Sequence, residues 1–186
     1  IVMKSIFGII AVAIMSSASM VGAAELESGL KIGDSPGAFY VTDVTGPSAG
    51  ETLCYRCQYN NQPVVSIFAR SMDDNVQNLV KQIDDVVGKR YDDERMAAFV
   101  VMLSDKPKGL KQSLVATAKE HKLTHTPLTT YSTAAGPRKY RIHEDAEVTV
   151  IMWVDSDVKS NLSFAKGKLN ADSIKQVVAD TAKILN

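Results

Sequence analysis

The chain of 186 residues contains two cysteines, few aromatic residues and no excess of charge. Basic and acidic residues number 21 each, so the formal net charge is zero at pH 7. No basic stripe interleaved with aromatic residues is present, as a nucleic-acid-binding surface would require. After the first residues, no apolar run approaches the roughly 20 residues that a membrane-spanning helix needs. We therefore expect neither a nucleic-acid partner nor a membrane span in the mature chain.

The first 24 residues carry the features of a secretory signal peptide. Lys4 precedes an apolar run from residue 6 to residue 15, and small residues follow up to Gly22-Ala23-Ala24. Such a run of about ten residues is too short to span a bilayer, and small residues typically precede the cleavage site. We predict a signal peptide over residues 1–24 and one domain over residues 25–186. The mature protein is then expected to be periplasmic or secreted, where disulfides persist.

The remaining chain alternates between short apolar runs and amphipathic stretches. Apolar and β-branched runs predict strands at residues 37–44, 63–69, 96–103, 128–131, 148–154 and 162–165. Apolar residues at helical spacing predict helices at residues 73–88, 110–121 and 174–185. Alternating strands and helices imply crossovers and a mostly parallel centre, whereas the last two strands share a short turn and must be antiparallel. These patterns predict an α/β domain with a mixed sheet flanked by helices.

Three stretches of the sequence resemble the thioredoxin-like superfamily, particularly its secreted bacterial branch related to peroxiredoxins and thiol–disulfide interchange proteins. They are Gly33-Asp34-Ser35-Pro36 leading into residues 38–41, the predicted strand at 63–68, and Tyr140-Arg141-Ile142 leading into residues 148–154. The resemblance covers nearly all of the mature chain. It implies a thioredoxin-like three-layer sandwich, in which helices flank a mixed central sheet.

Two landmarks of that superfamily are missing from their usual positions. Its nucleophilic cysteine lies at the start of the helix after the strand matching residues 63–69, where this chain has Arg70-Ser71-Met72-Asp73. The hydroxyl of Ser71 cannot perform thiol exchange. The superfamily also has a cis-proline before the strand matching residues 148–154, whereas this chain has Ala146-Glu147, and an X-Ala bond has little reason to be cis. The usual active site is therefore not expected.

Both cysteines, Cys54 and Cys57, lie upstream of that position and are spaced C-x-x-C. A disulfide that closes so short a loop is more easily reduced than a long-range bridge, and Arg56 between the cysteines can stabilise a thiolate. We expect the pair to lie in a loop rather than at a helix N-terminus, with Tyr55 and Tyr59 packed beside it. Cys54 and Cys57 are the predicted catalytic residues of thiol–disulfide exchange with a protein partner, and the order of attack stays open.

Two other interpretations of the pair stay open. In a non-catalytic binding module, Cys54–Cys57 would be a structural disulfide, although a short loop gives only modest stabilisation. A metal site needs more ligands than two sulfurs, and His121, His125 and His143 lack ligand spacing to one another. Covalent haem attachment requires histidine directly after the second cysteine, where this chain has Gln58. We expect no metal and no cofactor.

Overall fold

A computed structural model describes residues 26–185, so the predicted signal peptide lies outside the described residues. The strands are β1 (Val41–Asp43), β2 (Thr52–Leu53), β3 (Val64–Ala69), β4 (Ala97–Leu103), β5 (Leu128–Tyr131), β6 (Ala146–Val154) and β7 (Asp157–Ala165). The helices are α1 (Tyr55–Tyr59), α2 (Asp74–Glu94), α3 (Lys111–Glu120) and α4 (Ala171–Asp180). Single 3-10 turns occur at Pro107–Leu110, Arg138–Tyr140 and Thr181–Lys183. None of the helices in residues 26–185 is long and apolar enough to cross a membrane.

The strands form one mixed sheet in the order β2-β1-β5-β4-β3-β6-β7. The central strands β3, β4 and β5 are parallel, whereas β1, β2, β6 and β7 extend the sheet through antiparallel pairs. Asp155 and Ser156 form the two-residue turn between β6 and β7, with positive φ values of 53° and 63°. Such values suit a tight hairpin turn, because their twist matches that of the flanking strands. The predicted mixed sheet and its closing antiparallel hairpin are confirmed.

The core strands are buried on both faces of the sheet. Every residue of β3 and β4 is buried. Along β4, Ala98, Val100 and Met102 point into one hydrophobic cluster, and Phe99 and Val101 point into another. Strands covered on both faces are continuous apolar runs, which is why these two were predicted within one residue of their observed bounds.

Helices α2, α3 and α4 cover the first face of the sheet. Asp73 caps α2 by accepting the N–H of Val76 at 3.0 Å. The helix continues past Gly88 to Glu94, so the predicted end at residue 88 is wrong. The His125 ring packs over Gly88, where an added Cβ would lie 2.9 Å from the ring. Gly88 therefore allows a close approach inside the helix rather than ending it.

The second face of the sheet is covered by short segments instead of long helices. The extended segment before β1, helix α1 and the 3-10 turn at Arg138–Tyr140 supply its outer side chains. The Phe39 ring lies 5.8 Å from the Phe68 ring and 4.8 Å from the Tyr140 ring, measured between centroids. Trp153 is fully buried in this cluster, as expected for a core residue. The α/β sandwich is therefore complete, with the cysteine-bearing helix on its second face.

Candidate redox site

Cys54 and Cys57 are joined by a disulfide, with their Cα atoms 5.2 Å apart. Cys54 is the N-cap residue of α1, and its Sγ accepts the backbone N–H of Cys57 at 3.1 Å. The prediction of a loop away from a helix N-terminus is therefore wrong. A helix of five residues is too short to show apolar periodicity, so the sequence pattern did not reveal it.

The two halves of the disulfide differ in exposure. Cys54 is 7% exposed, whereas Cys57 is exposed on the outer side of α1. In thiol–disulfide exchange, a thiolate attacks one sulfur while the other departs as a thiolate. In such an exchange, the exposed Cys57 would be the more accessible target and the buried Cys54 would be the leaving group. The N–H of Cys57 already points at the sulfur that would carry the negative charge.

Two tyrosines fix α1 on the sheet. The Tyr55 ring stacks on the Tyr59 and Phe99 rings, with ring centroids 5.3 Å and 5.5 Å away. Burial raises the pKa of both tyrosine hydroxyls well above the ordinary value of 10.0. Both side chains pack against the core, as predicted. Because the Tyr55 side chain is buried, α1 and the disulfide are held in a fixed position on the sheet.

Asp43, which the sequence analysis did not single out, links the Tyr55 hydroxyl to the turn that precedes β2. Its carboxylate is buried and accepts the N–H groups of Gly46 at 2.8 Å and Ser48 at 2.9 Å. The Tyr55 hydroxyl donates to the same carboxylate at 2.9 Å. An aspartate three residues before a glycine is a turn signal, but nothing local predicts the bond to Tyr55. Asp43 therefore helps to position the cysteine-bearing helix.

Arg56 uses its guanidinium to hold neighbouring segments together. It donates to the carbonyl oxygen of Pro36 at 2.9 Å and to the Ser156 hydroxyl at 2.8 Å. All its described hydrogen bonds go to oxygen atoms, and the expected stabilisation of a thiolate by the charge of Arg56 stays a prediction. The contact with Ser156 places α1 beside the β6–β7 turn, at the end of the sheet where β3 begins.

The superfamily's usual site lies where β3 ends, and here Arg70 fills it. The Arg70 guanidinium donates to the carbonyl oxygens of Ala146 at 2.9 Å, Ala134 at 2.6 Å and His143 at 3.1 Å. Residues 26–185 contain no cis peptide bond, so the Asp145-Ala146 bond is trans, and no free cysteine occurs among them. Both predicted departures from the superfamily are confirmed.

The histidines are dispersed over three parts of the fold. His121 Nε2 lies 2.8 Å from Gln77 Oε1, and the backbone N–H of His125 donates to Asp84 at 2.8 Å. His143 Nδ1 lies 3.7 Å from a carboxylate oxygen of Asp145. Within residues 26–185, no three histidine, cysteine or acidic residues are grouped so that they would hold a metal ion.

Comparison with known proteins identifies the fold. No protein-family model and no curated protein matches this sequence. A proposed protein disulfide isomerase from Bacteroides thetaiotaomicron is 17% identical with a TM-score of 0.64, and the match covers 86% of this chain and 94% of that chain. A proposed thiol:disulfide interchange protein, DsbE, from Chlorobium tepidum is 15% identical with a TM-score of 0.58, covering 82% and 99% respectively. Peroxidoxin BcpB from Mycobacterium tuberculosis is 19% identical with a TM-score of 0.56, covering 84% and 99%.

These matches define the class of protein to which the fold corresponds. The chain has the thioredoxin-like fold, and it carries a C-x-x-C disulfide outside the position where that fold usually holds its reactive cysteine. The predicted fold class, an α/β domain with a thioredoxin-like fold, is confirmed.

Proposed function

We propose that the protein is a thiol–disulfide oxidoreductase that exchanges electrons with a protein partner through Cys54 and Cys57. The observation that carries this proposal is the asymmetry of the disulfide. An exposed Cys57 is paired with a buried Cys54 whose sulfur already accepts a backbone N–H. A purely structural bridge requires neither an exposed cysteine residue nor an N–H donor aimed at the sulfur of the buried one.

The reaction proceeds in two exchanges. A partner thiolate attacks Cys57 Sγ, the bond to Cys54 Sγ breaks, and Cys54 leaves as a thiolate that takes up a proton from water. A second thiolate of the partner then attacks the mixed disulfide and releases Cys57 as a thiolate. The partner loses two electrons and becomes a disulfide, while the Cys54–Cys57 pair gains them. In the reverse direction, reduced Cys57 attacks a partner disulfide and Cys54 resolves the intermediate.

Helix α1 lowers the energetic cost of the leaving group. A hydrogen bond to a charged acceptor is worth about 1.5 to 3 kcal/mol, roughly twice that to a neutral one. The N–H of Cys57 therefore stabilises the Cys54 thiolate more than it stabilises the disulfide. Because Tyr55 and Arg56 anchor α1 on both sides, this donor needs no rearrangement to act.

Catalysed reduction of insulin by dithiothreitol tests the proposal. Wild type is expected to accelerate the reaction, and Cys57→Ser and Cys54→Ser are both expected to abolish the acceleration. Ser71→Ala is the matched control, because it changes the polar residue at the superfamily's usual site and should retain full activity. Activity that survives both cysteine substitutions would contradict the proposal.

A second candidate function is a non-catalytic binding module with a structural disulfide. The observation that favours it is Arg70, whose three bonds to carbonyl oxygens occupy the place where related folds perform their chemistry. A fold does not carry its function with it. Wild type that fails to accelerate insulin reduction, while remaining folded, would support this second function.

We also propose that the protein is exported. The support is the pattern of Lys4, the apolar run and the small residues up to Ala24, together with a disulfide that an oxidising compartment would preserve. Expression of the chain with and without residues 1–24 in a bacterial host tests this. N-terminal sequencing of protein from the periplasm should begin near Glu25, and retention of the complete chain in the cytoplasm would contradict export.

A further inference from the structure

Two cavities lie side by side where α1 ends. Both are lined by Gln58, Tyr59 and Gln62, and their volumes are about 710 Å³ and 690 Å³. We call the larger one the uncharged cavity, which Tyr91 and Thr126 also line, and the smaller one the acidic cavity, which Asp93, Glu94 and Asp155 also line. Gln58 directly follows the exposed Cys57 in α1, so the shared wall of both cavities belongs to the helix that carries the disulfide.

The uncharged cavity combines aromatic walls with an unpaired hydrogen-bonding group. Tyr91 is 57% exposed, an unusual exposure for so large a ring, and Tyr59 faces the same space. Thr126 is 2% exposed, and its hydroxyl has no partner among the described residues. The described residues that line it include no aspartate, glutamate, lysine or arginine. A buried hydroxyl without a partner costs free energy, so a ligand with a polar backbone and an apolar side chain would relieve it.

The acidic cavity has the opposite electrostatic character. Three carboxylates face it together with a single guanidinium, that of Arg95. One carboxylate oxygen of Glu94 accepts from Arg90 at 3.1 Å, whereas the other is buried without a hydrogen-bond partner in the described part of the chain. The net negative charge and this free oxygen favour a positively charged group with N–H donors.

We propose that these two cavities bind the polypeptide segment carrying the partner's cysteine, with an aliphatic or aromatic side chain in the uncharged cavity and a lysine or arginine in the acidic cavity. This inference rests on the proposed function, since it assigns the substrate class of the same disulfide. An extended peptide supplies both requirements at once: amide groups for Thr126, and side chains that alternate along its length. Gln58 and Tyr59, which line both cavities, directly follow Cys57 in α1, so the bound segment would contact the helix that carries the disulfide.

Binding is tested first with peptides that cannot react. The probe is a capped peptide in which serine replaces the reactive cysteine, with leucine and tyrosine on one side and lysine on the other. A second peptide carries glutamate in place of lysine, and a third carries serine in place of leucine and tyrosine. Isothermal titration should show that the first peptide binds wild type about fivefold to tenfold more tightly than either of the others. Equal binding of all three peptides, or no binding, would overturn the proposal.

Variants then assign each preference to its cavity. Tyr91→Ala should remove the preference for leucine and tyrosine, and the double substitution Asp93→Asn with Asp155→Asn should remove the preference for lysine. Asparagine suits position 155, because that residue has a φ of 53°. Tyr40→Ala and Glu144→Gln are the controls, since they alter an equally exposed aromatic residue and an exposed acid outside both cavities. Loss of a preference in a control variant would contradict the assignment.

A kinetic measurement separates this inference from the proposed function. The cysteine forms of the same peptides are used to reduce the oxidised protein. Dithiothreitol is the comparison reductant, because this small molecule does not need to bind in either cavity. For wild type, faster reduction by the first peptide than by the other two is the expected result, and dithiothreitol should reduce wild type and the two control variants, Tyr40→Ala and Glu144→Gln, at equal rates. Equal rates for every peptide would overturn the proposal that the two cavities bind the partner's peptide, while leaving the redox function intact. Binding of the serine peptide without any exchange by the cysteine peptides would overturn the redox function alone.

Discussion

Reduction of the disulfide should weaken the fold without unfolding it. Cys54 and Cys57 are separated by 3 positions in the sequence, so the disulfide closes a very short loop. For a closed loop of about four residues, the chain-entropy relation gives about −6.2 cal/mol/K, or about 1.9 kcal/mol at room temperature. A domain of this size has a free energy of unfolding of about 5 to 15 kcal/mol, so the reduced protein stays folded. A redox cycle requires that property, because both forms must bind partners.

Urea unfolding with and without dithiothreitol measures this difference. The chain contains one tryptophan, Trp153, which is fully buried and lies 6.2 Å from the Phe99 ring, so its fluorescence reports on the face that carries α1. With a slope of about 2 kcal/mol per molar urea, the midpoint should fall by about 1 M on reduction. A double variant, Cys54→Ala with Cys57→Ala, is the control and should show no response to dithiothreitol. Loss of the cooperative transition on reduction would refute the reasoning and indicate a structural staple.

Three further predictions concern the site and its surroundings. With a disulfide substrate, the thiolate of Cys57 in Cys54→Ser should attack one substrate sulfur and release the other as a thiolate, so a mixed disulfide accumulates because the resolving sulfur is missing. Non-reducing mass spectrometry should detect this mixed disulfide in Cys54→Ser and not in Cys57→Ser. Arg70→Met should lower the free energy of unfolding by about 2 to 3 kcal/mol, since three carbonyl oxygens lose a charged donor, while the rate of insulin reduction stays unchanged. Stability should fall as the pH rises above about 10, because burial raises the pKa of Tyr55 and the unfolded chain therefore ionises first.

Each of these predictions has its own control. A mixed disulfide found with Cys57→Ser instead of Cys54→Ser would reverse the assigned roles of the two sulfurs. Arg138→Met changes an exposed arginine and should leave stability nearly unchanged. For the tyrosine, the contribution to stability is complete below the ordinary pKa of 10.0 and is lost as the pH rises toward the higher pKa of the folded state. Tyr55→Phe should make that loss shallower, and an unchanged slope would contradict the assigned cause.

Sequence patterns predicted the strands that are buried on both faces of the sheet. Strands β3 and β4 are continuous apolar runs, and β5 was predicted with the bounds that the structure shows. Short elements escaped the same reasoning, because periodicity needs more than a few residues to appear. The helix α1 and the two-residue strand β2 are of this kind. The predicted helix end at Gly88 is wrong, because this glycine makes room for the ring of His125, 37 positions later in the chain, and does not end the helix.

The sequence singled out the cysteine pair but not the geometry around it. Cys54 and Cys57 were found from their spacing alone, yet which of them is exposed depends on how Tyr55 packs against Phe99. Likewise, the carboxylate of Asp43 reaches Tyr55 through a turn that brings together residues 12 positions apart. Contacts of this type are set by tertiary packing, which no local pattern records. The absence of cysteine near Ser71 was visible in the sequence, whereas the bonds by which Arg70 fills that place were not.

The reduction potential of the Cys54–Cys57 pair tests the central claim most directly. Oxidised protein is equilibrated with dithiothreitol buffers of known potential, and the fraction of free thiol is measured by alkylation and mass spectrometry. A potential above about −300 mV, in the range of exchange-active dithiols, is the predicted result. A potential well below that value, together with no exchange, would show that the disulfide is a permanent part of the fold.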